Sequence, residues 1–192
     1  MRGATLRQAQ WHGHVNAVGA PAAMRAWLTA GGSLTARLTA HSDAFRVQRL
    51  HQRTAMCLHD EARAIGLQRP GRVWEREVLL RCDGVPVVFA HTVVPMSASA
   101  ADWPLFNALG ERSLGSTLFY DPRVTRGELE FARIRAGHPL MERASAALGA
   151  AAAPVLYARR CLYRRRRGTL LVTEVFLPPV LALTARTHNN TK

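Results

Sequence analysis

Residues 72–81 and 85–94 are two apolar-rich runs separated only by Asp83-Gly84. That dipeptide accepts the positive φ angles of a type I′ turn, so the two runs predict a tight antiparallel hairpin. Side chains alternate sides along a strand, and residues two apart share a face. One face of the first run carries Trp74, Arg76, Val78 and Leu80; in the second run Val87, Phe89, His91 and Val93 go together. A third run, 170–177, groups Leu170, Val172, Glu174 and Phe176. Each face holds one polar or charged residue in an apolar setting. A buried guanidinium or carboxylate is costly unless it is paired. An anionic ligand that also carries a hydroxyl would satisfy Arg76 and Glu174 together. On pattern alone, a structural ion pair and a satisfied core histidine are the alternatives.

The remaining pattern supplies partners for that hairpin. Residues 155–165 and 170–177 predict a second hairpin across an arginine-rich turn at 166–168, and 45–58 and 128–136 also read as strands. Short helices are expected at 21–30, with Met24, Trp27 and Leu28 on one side, and at 33–38, capped by Ser33. Further helices are expected at 99–109 and 139–148, and 62–69 reads as a turn or short helix. Leu114-Gly115 is expected in a loop, and the alanine-rich stretch 146–153 reads as a connector. Successive hairpins with short helices between them give one α+β domain, a single antiparallel sheet with helices packed on it. The domain is expected over 21–180, after a flexible segment at 1–20 and before a polar tail at 181–192.

Composition narrows the function classes. No apolar run approaches the roughly 20 residues needed to span a bilayer, and the first 14 residues lack the apolar stretch of a signal peptide. A cytoplasmic protein is expected. Cys57, Cys82 and Cys161 are odd in number and widely spaced, forming neither a CxxC pair nor a disulfide framework. The net charge of +13 raises nucleic acid as a partner, but Lys192 is the only lysine among 26 basic residues. So one-sided a usage reads as coding bias, and Trp74 and Phe176 fall on core faces rather than beside exposed arginines, so no nucleic-acid partner is expected. His12, His14, His41, His51, His59 and His138 show no metal-ligand spacing, and no P-loop, GxGxxG, GxSxG or HExxH is present. Neither metal nor cofactor is expected.

Several segments, in order, carry a family resemblance. WEREVLLRCDGVPVVFAHTVVP (74–95) resembles the central hairpin of the chorismate lyase family. SLGSTLF (113–119), VTR (124–126), YARRC (157–161) and LLVTEVFLP (170–178) are similar to that family too. The resemblance covers about residues 21–178. It implies a six-stranded antiparallel sheet with helical flaps over an internal, water-excluding ligand site. It further implies a cofactor-independent monomer that eliminates pyruvate from chorismate to give 4-hydroxybenzoate, the first step of ubiquinone biosynthesis. By residue-for-residue match, Arg76 and Glu174 are the expected catalytic and substrate-binding residues, with Leu34 and Leu114 as further binding positions. His91 stands where relatives carry arginine, and it is expected to line the pocket. The resemblance also covers non-enzymatic effector-binding domains of bacterial regulators. Those normally follow a DNA-binding domain, and with about 20 residues before the first helix the enzyme is the expected reading.

Overall fold

The computed structural model of the chain describes residues 8–98, 102–104, 106–115, 120–149 and 153–183. Six strands form one antiparallel sheet: β1 (Phe45–Met56), β2 (Arg72–Cys82), β3 (Val85–Pro95), β4 (Val124–Arg135), β5 (Val155–Arg165) and β6 (Gly168–Phe176). Their spatial order is β1-β2-β3-β6-β5-β4, so the β2–β3 and β5–β6 hairpins lie side by side at the centre. The β2–β3 turn is the one the sequence dictates, with φ of 51° at Asp83 and 80° at Gly84. The Asp83 carboxylate also accepts from the Asp43 and Ala44 amides at 2.8 Å each, tying the turn to the start of β1.

Both faces of the sheet are clad. One carries α1 (Ala22–Leu28) and α2 (Leu34–Ala40), whose Met24, Trp27, Leu28, Leu34 and Leu38 pack with Val78, Leu80, Ala90 and Phe176. Met24, Trp27 and Leu28 lie at i, i+3 and i+4, which puts them on one side of a helix. Ser33 caps α2 by accepting from the Ala36 amide at 3.3 Å. Trp103, Phe106 and Leu109 extend this layer over Val94, Leu170 and Tyr163. The opposite face carries α3 (His59–Ala62) and α4 (Pro139–Leu148). Leu140, Met141 and Ala144 of α4 pack there on Leu79, Phe89, Ile134 and Val175. Proline at the first position of α4 and Gly149 at φ 63° just past its end mark its two limits.

Four expectations need correction. The described part of 99–109 consists of turns rather than a helix, because it drapes over the sheet as a cover; residues 99–101 and 105 lie outside the described residues. Leu114 and Gly115 have helical backbone instead of loop. Alanines 146 and 147 continue α4 rather than forming a connector. The segment before Pro21, expected as a flexible lead-in, packs on the sheet from residue 8 onward. His12 exchanges backbone hydrogen bonds of 2.9 and 2.8 Å with Phe131 on the edge of β4, and the Trp11 indole donates to Asp60 at 2.8 Å. The tail beyond residue 183 lies outside the described residues. No helix among the described residues is long and apolar enough to cross a membrane.

Candidate active site

Cross-strand register places the polar residues. Arg76 on β2 pairs with Thr92 on β3, which pairs with Val172 on β6 and through it with Cys161 on β5. One step along the strands, Ala90 pairs with Glu174, and Glu174 with Arg159. These two rows form the floor of a pocket between the sheet and the cover made by α2 and residues 113–115. Arg76, Glu174, Leu34 and Leu114 all line it; the strand pattern points to the first two, and the family resemblance to all four.

Arg76 is only 2% exposed. Its Nη2 donates to the carbonyls of Gly110 at 3.1 Å and Arg112 at 2.9 Å, so the guanidinium holds the covering segment down. Its buried Nε has no hydrogen-bond partner among the described residues. An unmet donor on a buried cation leaves room for one more acceptor, and a charge-assisted bond to an anion is the strongest that could fill it. Burial, with Arg49 adding repulsion, lowers its pKa to about 10, which leaves it charged at neutral pH. The cover is joined to α2 by a hydrogen bond between the Thr35 and Ser113 hydroxyls. Gly115 sits so close that a Cβ there would lie 3.3 Å from Ser33 Oγ and 3.4 Å from Thr35 Oγ1.

Glu174 has a partner that the sequence reading missed. Arg159 Nε donates to Glu174 Oε2 at 2.5 Å, while its Nη1 donates to Leu28 O at 3.2 Å and Ala30 O at 2.8 Å. The carboxylate is therefore held in a fixed orientation by a cation that also anchors the end of α1. Counting back from the β5–β6 turn would have paired Arg159 with Glu174, since that register is unbroken from Arg165 and Gly168 onward. Arg126, Tyr163 and Cys161 complete this end of the pocket. Burial pushes the Tyr163 phenol and the Cys161 thiol above their usual ranges, so both are neutral donors at pH 7.

His91 does not line the pocket. A two-residue turn without irregularity would set His91 opposite Arg76, on the same face. A β-bulge between Leu80 and Arg81 shifts the pairing by one residue, so His91 faces Glu77 and Thr92 takes the place beside Arg76. His91 lies fully buried on the far face, 2.8 Å from Glu61 Oε1 and 3.1 Å from Glu77 Oε1. Arg143 of α4 donates to Glu75 and Glu77 at 2.7 Å each, and His51 of β1 lies 2.9 Å from Glu75. His51, Glu75 and Glu77 bring ligand atoms close enough to hold a metal ion, a grouping hidden from spacing rules because it spans two strands. Arg143 already bridges the two carboxylates.

An antiparallel sheet clad on both faces, with a pocket lined by Arg76, Arg126, Arg159 and Glu174 over one of them, defines the class of α+β domain. The effector domain of PhnF from Mycobacterium smegmatis shares this fold, with a TM-score of 0.54 at 19% identity over 82% of this chain and 95% of that one. So does the C-terminal domain of a histidine utilization repressor from Pseudomonas syringae, at 0.51 and 14% identity over 78% and 100% of the two chains. Sequence relationships are far closer elsewhere. The model of the chorismate lyase family matches residues 5–186. A probable chorismate pyruvate-lyase of Cupriavidus metallidurans is 48% identical over 180 residues, covering 93% of this chain and 84% of that protein. Another, from Ralstonia nicotianae, is 52% identical over 155 residues, covering 79% and 80%. The chain belongs to the chorismate lyase family.

Proposed function

We propose that the chain is a chorismate pyruvate-lyase, converting chorismate to 4-hydroxybenzoate and pyruvate in the cytoplasm, as the entry step to ubiquinone. The observation that carries this reading is the unmet Nε of buried Arg76, set in one pocket with a fixed carboxylate, Glu174. A ring carboxylate on Arg76 and a ring hydroxyl on Glu174 satisfy both. The reaction breaks the ether bond at C3 and removes the hydrogen at C4. The enolpyruvyl group leaves as pyruvate, and the ring becomes aromatic. Aromatisation supplies the driving force, so the protein's work is to bind, orient and exclude water.

Arg76 holds the ring carboxylate, and the Leu114 backbone amide adds a bond to the same anion. Glu174 Oε2 is engaged by Arg159, which leaves Oε1 to accept from the C4 hydroxyl and fix the ring for departure of the ether oxygen. The C4 proton passes to the leaving group or to Glu174. Leu34 and the apolar residues of the floor shield the ring from water. Purified protein incubated with chorismate and EDTA should release 4-hydroxybenzoate and pyruvate in equal amounts, measured by chromatography. Binding without release would move the reading to a non-enzymatic effector domain of the same fold.

A further inference from the structure

Three guanidiniums and one carboxylate line the pocket, giving a net charge of two positive among the described residues. Their tasks differ. Arg159 spends its donors on Glu174 and on two carbonyls at the end of α1. Arg76 grips the covering segment and keeps a buried, unmet Nε. The third cation is Arg126 on β4, paired in register with Tyr163 on β5. Arg76 and Arg126 lie at opposite sides of the pocket, with β3, β6 and β5 between their strands. Arg126 lines the pocket together with Cys161, Tyr163 and Glu174. A guanidinium carries five N–H donors, so the partners Arg126 already has and a ligand carboxylate are compatible. Arg126 is also the exposed member of the three.

Resting on the chorismate reading above, we propose that Arg126 binds the second carboxylate of the substrate, the one on the departing enolpyruvyl group. The pocket's double positive charge then matches a dianion whose two carboxylates are gripped from opposite sides. When the C3 ether bond breaks, negative charge grows on the enolate oxygen beside that carboxylate, and a cation already in place stabilises it without reorganisation. The ring product has lost that carboxylate. Arg126 therefore distinguishes substrate from product: it contributes to binding chorismate and to the transition state but not to binding 4-hydroxybenzoate.

The test is steady-state kinetics of wild-type protein, Arg126→Gln and Arg126→Lys, alongside the inhibition constant of 4-hydroxybenzoate for each. Arg126→Gln should lose about tenfold or more in kcat/KM for chorismate, the range for a hydrogen bond between charged groups. The 4-hydroxybenzoate constant should stay within about twofold, and that retained binding also reports an intact pocket. Arg126→Lys should recover part of the loss, since it keeps the charge without the planar fork. Equal losses for substrate and product would assign Arg126 a purely structural role, and unchanged kcat/KM in Arg126→Gln would also overturn the inference. Should the glutamine variant fail to fold, Arg126→Lys decides alone, through the same split between kcat/KM and product inhibition. An inactive wild-type protein would instead overturn the chorismate reading, and this inference with it.

Discussion

Arg76→Ala is expected to lose roughly 30-fold or more in kcat/KM for chorismate while remaining folded. The ligand carboxylate would be left unpaired in a dry pocket, and truncating one side of such a buried charge pair costs on the order of 2 to 5 kcal/mol. A second loss compounds the first. The carbonyls of Gly110 and Arg112 lose their donor, so the segment covering the pocket loses its anchor to the sheet. The variant should therefore bind 4-hydroxybenzoate poorly as well, in contrast to the selective defect expected at Arg126. Arg76→Lys keeps the charge, but one ammonium cannot hold both carbonyls and a carboxylate in the geometry of a planar fork. It should recover activity only in part. Kinetics combined with thermal melting check this, and near-normal turnover by a folded alanine variant would remove Arg76 from the site.

How far the sequence specifies this site depends on how far local rules reach. The alternation of Trp74, Arg76, Val78 and Leu80 and of Leu170, Val172, Glu174 and Phe176 is intrinsic to a strand, so both inward faces were legible. The Asp83-Gly84 turn was legible for the same reason, since its positive φ angles are a local demand. His91 failed because the face of one strand relative to the next depends on register, and a single bulge near the turn reverses it. Arg159 sits in a quoted motif, YARRC, where two adjacent arginines point to opposite faces. Arg159 reaches Glu174 in the pocket and Arg160 reaches Glu130 at 2.8 Å on the other side. Only the pairing of β5 with β6 tells them apart. Arg126 lies on the edge strand β4, which enters the sheet beside β5 rather than beside its predecessor in sequence, so nothing local places it near Glu174. The described residues between 102 and 115 depart from the expected pattern because their conformation follows from lying over Val94, Leu170 and Tyr163 rather than from their own periodicity.

The cluster on the far face should govern stability rather than binding, and His91 is where this is most easily measured. His91 is faced by Glu61 from α3 and by Glu75 and Glu77 from β2, with His51 and Arg53 of β1 and Arg143 of α4 bordering the same carboxylates. Burial alone would disfavour the imidazolium, but Glu61 and Glu77 outweigh it and raise the pKa to about 10. Burial likewise opposes ionisation of Glu77, yet His91 and Arg143 hold it down to about 2. The signs follow from linkage. Because the folded His91 pKa lies above its unfolded value, its contribution is fully present below about pH 6.5 and is lost as pH rises towards 10. Because the Glu77 pKa is depressed, its contribution is present above about pH 4.5 and is lost as pH falls towards 2. His91→Gln removes a cation from among three buried carboxylates and should cost about 3 to 5 kcal/mol in urea unfolding at pH 7. His91→Arg keeps the charge at every pH, so whatever its packing cost, its stability should not decline between pH 7 and 10 as the wild type's does. Neither substitution should change kcat/KM per folded molecule, because the sheet separates His91 from Arg76 and Glu174. A glutamine variant as stable as wild type, or one with an altered pH profile of ligand binding, would show that His91 is not confined to this far-face cluster.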